Sequence, residues 1–182
     1  VGGDGFVEGE VTDIKATGSV TTVAEGEVTN TITYTEGAAF NADNYAITKN
    51  EGTLKITGSE AAIVITSATK SWTYDGQVHK EEKYTVTYGG TEATADSTGK
   101  VFTLSTGDTV TITATAEGVK DYSESYSENN TYTYVISNAG SYSAVTANVG
   151  TLSIEKREVH LTSESGERPY DGTPLTKPAV TV

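Results

Sequence analysis

Two histidines, a Gly-rich acidic stretch and a pair of loop tyrosines are the side chains of this sequence with types suited to chemistry. A zinc or general-base role asks for further ligands at a recognisable spacing. His79 and His160 have no neighbouring His and no such spacing, so both read as ordinary surface or strand positions. Asp4, Glu8 and Glu10 lie among glycines, where hard oxygen ligands suit calcium. They are the calcium candidates, although no full ligand loop is present. With Glu25 and Glu27 they do not define a glycosidase carboxylate pair, and a solvated acidic surface accounts for them. Tyr122 and Tyr126, in Asp121-Tyr122-Ser123-Glu124-Ser125-Tyr126, could stack on sugars or fill a protein pocket. An edge strand or a contact with an adjoining repeat would use the same tyrosines, and that reading is preferred. Neither a G-x-S-x-G elbow nor a phosphate loop occurs. The sequence therefore predicts no catalytic residue and no cofactor.

The elements that must position these side chains are strands. Thr, Gly and Val are the commonest of the 182 residues, Ser and Tyr are frequent, and only 35% of the chain is hydrophobic. Thr109-Val110-Thr111-Ile112-Thr113 alternates with period two, sending Val and Ile to a core and Thr to solvent. Residues 63–66, 132–136, 152–154, 32–34 and 54–56 read as further strands. Short strands at this spacing predict an all-β fold of tandem Ig-like β-sandwiches. A β-grasp layout is the alternative, but it needs a helix across the sheet, and no stretch shows 3.6-residue periodicity with caps.

Composition also excludes partners. The net charge is −13, and a nucleic-acid surface needs clustered Lys and Arg to displace counterions. The absence of cysteine rules out a disulfide framework, a thiolate metal site and a thiol nucleophile. No apolar run approaches the roughly 18–20 residues of a membrane-spanning helix.

Internal repetition organises the whole chain. Gly52-Thr53-Leu54 recurs as Gly150-Thr151-Leu152, a shift of 98, and Tyr74-Asp75-Gly76 recurs as Tyr170-Asp171-Gly172, a shift of 96. Between them, Asn41-Ala42 with Tyr45 matches Asn138-Ala139 with Tyr142, and Asn30 to Tyr34 matches Asn130 to Tyr134. The apolar approach residues Ile63 and Ile65 are answered by Val159 and Leu161. These landmarks predict one complete unit at residues 59–156. Residues 1–58 then correspond to the C-terminal part of a unit and residues 157–182 to the N-terminal part of the next, complementary to 1–58. Each Y-D-G reads as a structural turn: Asp-Gly supplies positive φ, and the preceding Tyr is expected to bury its ring.

The Y-D-G turn, then Gly3-Asp4-Gly5-Phe6-Val7-Glu8-Gly9-Glu10, Ala42-x-Asn44-Tyr45 and Gly52-Thr53-Leu54-x-Ile56, resembles the tandem YDG and MBG-type repeats of large bacterial surface and adhesin-like proteins. The resemblance spans nearly the whole chain. It implies an extracellular location at the bacterial cell surface, a stalk or filament role, and neighbouring copies of the same repeat as partners, head to tail along a fibre. An adhesin module binding a host protein or a glycan is the alternative, with a cell-surface hydrolase as a third. The expected assembly joins 157–182 to the 1–58 part of a neighbouring period, either in one long polypeptide, which is preferred, or by donor-strand addition between subunits.

Overall fold

A computed structural model describes residues 3–182 as strands joined by short turns. Residues 3–58 hold β1 (Val11–Ala16), β2 (Glu27–Asn30), β3 (Ile32–Glu36) and β4 (Gly52–Lys55). β5 (Ile63–Ser67), β6 (Lys70–Thr73), β7 (Tyr84–Tyr88), β8 (Thr91–Glu92) and β9 (Thr94–Ala95) follow. β10 (Val101–Thr103), β11 (Thr109–Ala114), β12 (Tyr132–Ile136), β13 (Val145–Asn148) and β14 (Leu152–Glu155) come next, and β15 (Thr162–Ser163) and β16 (Val180–Thr181) end the chain. The helical content of the described residues is four three-residue 3-10 turns, at Val23–Glu25, Ala42–Asn44, Tyr122–Glu124 and Ala139–Ser141. The protein is all-β. Among the described residues no helix is available to cross a sheet as a β-grasp requires, and none is long and apolar enough to cross a membrane.

Two four-stranded sheets run in the orders β12-β11-β10-β9 and β13-β5-β7-β8. Four two-stranded sheets accompany them: β1-β3, β2-β4, β14-β6 and β15-β16. Alternation in β11 works as its sequence expects. Val110 and Ile112 are buried while Thr111 and Thr113 are exposed. β10 and β11 pair antiparallel, with Phe102 opposite Val110. The loop between them closes through Leu104 N–H to the Asp108 carbonyl at 2.8 Å, and Gly107 takes φ +88°, which L side chains rarely adopt. That turn fixes Asp108 at the start of β11.

The chain divides into two compact units, each gathered from three stretches. One takes the chain up to Ile65 with Thr85–Ile112 and Tyr134–Asn148; the other takes Thr66–Tyr84, Thr113–Thr133 and Val149–Val182. In the first, Ile63, Ile65, Val86, Phe102, Leu104, Val110 and Ile112 are buried. In the second, Val119, Leu152 and Ile154 form a buried cluster against which Trp72 packs. Among the described residues, every buried hydrophobic lies between Ile63 and Ile154. Among the described residues, none of 3–58 or 157–182 is buried. Phe6, Tyr34, Phe40 and Tyr45 nevertheless cluster, with ring centroids 5.1–6.1 Å apart, and remain half-buried.

Candidate functional site

The repetition read from the sequence reappears as hydrogen-bonded fixtures. The Tyr142 hydroxyl donates to Asp108 Oδ2 at 2.5 Å and lies 2.6 Å from the Thr106 hydroxyl. Asn138 Nδ2 donates to Asp108 Oδ1 at 2.7 Å. Asn138 reaches that oxygen from a left-handed backbone, φ +53°, which Asn tolerates better than most residues. These donors, Tyr142 first, hold the Asp108 carboxyl below the ordinary aspartate value. Burial, then the carboxylate, pushes the Tyr142 phenol up. At shifts of 97 and 98 the Tyr45 hydroxyl donates to Glu10 Oε2, and the Val7 N–H donates to the Tyr45 oxygen at 3.0 Å. Donating to the Glu10 carboxylate raises the Tyr45 phenol in turn. Glu10, a calcium candidate on sequence grounds, is thus engaged with a tyrosine. Asp4 and Glu8 are exposed, and among the described residues no three His, Asp or Glu side chains gather as a metal-ligand set.

A second fixture closes the 3-10 turns. Glu124 Oε2 accepts the N–H groups of Lys120 at 2.6 Å and Asp121 at 3.1 Å. Glu25 Oε1 accepts those of Thr22 at 2.8 Å and Thr21 at 3.2 Å, together with the Thr22 hydroxyl at 2.8 Å. Carboxylates suit these free N–H groups, and the bonds lower both glutamates below their ordinary value, from the Lys120 N–H first at Glu124 and the Thr22 hydroxyl first at Glu25. The segment carrying Tyr122 and Tyr126 therefore has a counterpart in Val23–Glu25. The tyrosines themselves are not repeated: the shift of 99 that relates Glu124 to Glu25 puts Val23 at the place of Tyr122. Both rings are exposed, and Lys156 Nζ lies 4.7 Å from the centre of the Tyr122 ring. Tyr126 lines a cleft of about 290 Å³ with Glu117, Glu124, Asn129 and Thr131 among its walls.

Both Y-D-G turns fold alike. Asp75 Oδ1 accepts from Gln77 N–H at 2.9 Å, Asp171 Oδ1 accepts from Thr173 N–H at 3.0 Å, and Gly76 and Gly172 take φ +81° and +82°. The tyrosines do not bury as expected. Tyr74 is 40% and Tyr170 98% exposed, so the turn is made by Asp and Gly alone. His79 has a structural setting: Nε2 is 2.9 Å from Asp75 Oδ1, and the ring stacks on Trp72 at 4.9 Å. His160 is exposed, 3.8 Å from Glu158.

Sequence reasoning overlooked a third fixture, centred on two buried asparagines. Asn130 Nδ2 donates to the carbonyls of Ala68 and Glu81 at 2.8 and 2.9 Å. Asn129 bonds both the N–H and the carbonyl of Leu152. The Ser67 hydroxyl donates to the Asn130 carbonyl and accepts from Gly150 N–H, both at 2.8 Å. The recurrence of Asn30 at Asn130 was the available signal. A crosslink between Lys and Asn would need a buried Lys, and among the described residues every Lys is exposed or half-buried.

Comparison with protein-family models, with curated proteins and with solved structures gave no match in any of the three.

Proposed function

We propose that this chain is a structural module of a repetitive bacterial surface protein, a stalk or filament segment built from tandem Ig-like β-sandwich units of the YDG and MBG type. The observation that carries the reading is the recurrence of fixtures at a nearly constant shift. Tyr45 with Glu10 is answered by Tyr142 with Asp108, and Glu25 on its turn by Glu124 on its own. These side chains are occupied by the fold at both places, as a scaffold motif requires and a single ligand site does not. In this reading residues 59–156 are the complete unit, and the buried hydrophobics among the described residues, which lie between 63 and 154, support it. A concatemer of the chain, stretched in single-molecule force spectroscopy, tests it. At roughly 3.3–3.6 Å per extended residue, the 98-residue shift corresponds to unfolding increments of roughly 320–350 Å less the length of the folded unit. Regular increments of that size are expected; gradual extension without steps would count against a stalk of folded repeats.

One observation favours the adhesin alternative. Tyr122 and Tyr126 are exposed, absent from the sister segment, and one of them borders a cleft. In that reading the ligand is a host protein or glycan held by aromatic stacking. Replacing both tyrosines with Ala should abolish measured binding with the melting curve unchanged; unchanged affinity would remove the site.

A further inference from the structure

Residues 3–58 contain the counterpart of Gly150 without a strand beside it. In the buried fixture above, β6 lies parallel to β14, with Leu152 opposite Lys70, Ser153 opposite Ser71 and Ile154 opposite Trp72. The strand approaches so closely that a Cβ on Gly150 would lie 2.3 Å from the Ala68 carbonyl oxygen and 2.5 Å from that of Ser67. The Thr69 hydroxyl accepts from Thr151 N–H at 3.0 Å. Gly150 is therefore glycine because another backbone occupies the space of a side chain.

Gly52 stands at the same place in β4, opposite Asn30 as Gly150 is opposite Asn130. Its backbone is not left-handed, and nothing lies within 4 Å of the Cβ it lacks. Neither conformation nor crowding within the chain calls for glycine there. Among the described residues β4 pairs only with β2, so its second edge is open there, where the corresponding edge of β14 is taken by β6. Asn30 Oδ1 accepts from Gly18 N–H, but among the described residues its Nδ2 has no acceptor, whereas Asn130 Nδ2 has two carbonyls. Val20, Leu54 and Ile56, at the places of Val119, Leu152 and Ile154, are half-buried or exposed.

We propose that this edge receives residues 163–170 of a second copy of the chain, added as a parallel strand to β4. The register follows from the shift of 96 between the two Y-D-G turns. Ser163 and Ser165 fall at the places of Ser67 and Thr69, keeping both hydroxyls that bond β14, here for Gly52 and Thr53 N–H. Glu167 falls opposite Lys55, a complementary pair where the complete unit has Ser71 opposite Ser153. Pro169 falls at the place of Thr73. Lys70 and Tyr74 donate their N–H groups to the Thr151 and Glu155 carbonyls, so alternation turns the N–H of Thr73 away from β14, and proline is tolerated there. Arg168 replaces Trp72, and its aliphatic stem covers Ile56. The donor segment is available: residues 163–170 are all exposed, and among them only Ser163 is in a strand, β15.

The proposal rests on the repeat reading, and its test is independent of unfolding steps. Because the protein has no cysteine, the double variant Lys55→Cys with Glu167→Cys reports this contact alone. Under oxidation it should give a ladder of disulfide-linked dimers and higher oligomers. The out-of-register pair Lys55→Cys with Glu158→Cys should give at least tenfold less. Gly52→Val supplies the second arm. Its side chain enters open space in the single chain, so far-UV circular dichroism and melting should be unchanged, while the ladder is lost and sedimentation shows only the 19.1 kDa monomer. A ladder equally strong in the out-of-register pair, a ladder that survives Gly52→Val, or a link formed only within one chain would each overturn the proposal.

Discussion

At the scale of the residue, the same side chain has different value at its two places. Asn130 is 1% exposed and satisfies two buried carbonyls, so Asn130→Ala should destabilise by about 1–3 kcal/mol, the cost of leaving buried polar groups unpaired. Asn30→Ala, in a half-buried place, should stay within about 0.5 kcal/mol in the isolated chain. Urea denaturation of both variants checks the contrast, and equal effects would remove it. The carboxylates set the response to pH. Asp75, Asp96, Asp108, Glu81 and Glu124 all have folded-state values below their ordinary ones. A lowered folded value contributes stability that is present above the ordinary carboxylate range and lost as pH falls through the folded value. Melting temperature should therefore drop steadily below about pH 4, near the unperturbed values of Asp and Glu. Asp108→Asn should flatten part of that drop. At the alkaline end Tyr142 has a raised value, so its contribution is intact below about pH 10 and is lost as pH rises through the folded value.

At the scale of the element, strands of one sequence type divide into buried and unburied copies. Ile65 is fully buried in β5 while Leu161, its counterpart, is 67% exposed. Ile65→Ala should cost about 2–5 kcal/mol, the usual range for emptying a core position, and Leu161→Ala should cost under about 0.5 kcal/mol in the monomer. Thermal unfolding of the two variants is the measurement; a large loss at Leu161 would mean that the terminal segment is already packed in the monomer. β1 shows how little alternation decides alone. Val11 and Asp13-Ile14 lie in a strand whose register shifts between Thr12 and Lys15, with Asp13 at φ +53°, and Ile14 is 58% exposed. Its counterpart β11 is regular and buries Val110 and Ile112, because β10 and β12 flank it on both edges.

At the scale of the molecule, the buried apolar side chains among the described residues lie between 63 and 154, and residues 3–58 and 157–182 bury none. Segments as short as 157–182 do not build a core alone, since domains below about 40 residues usually need crosslinks, metals or partners. Limited proteolysis should therefore cut first after residue 156 and within 1–58, leaving a resistant fragment near 59–156. Mass spectrometry of the fragments decides it, and first cuts inside β5 to β14 would contradict this order. The net charge of −13 works against crowding of copies at low ionic strength, so oligomers should be favoured by added salt.

Much of the architecture was legible because it is local. Period-two alternation located β11, β12 and β14, Asp-Gly located both turns, and the shift between copies matched Tyr45 with Tyr142. What stayed hidden depends on residues far apart in the chain. That Asn130 bonds Ala68 and Glu81, that Glu10 serves a tyrosine, and that the turn tyrosines Tyr74 and Tyr170 stay exposed follow from which strands lie side by side. The sequence by itself determined that Gly52 and Gly150 are the same residue at the same point of a repeat. Only the tertiary structure decided that a backbone fills the space beside one and nothing fills the space beside the other. Identity at a position is local chemistry, while occupancy of the space around it is set by whichever strand arrives from elsewhere.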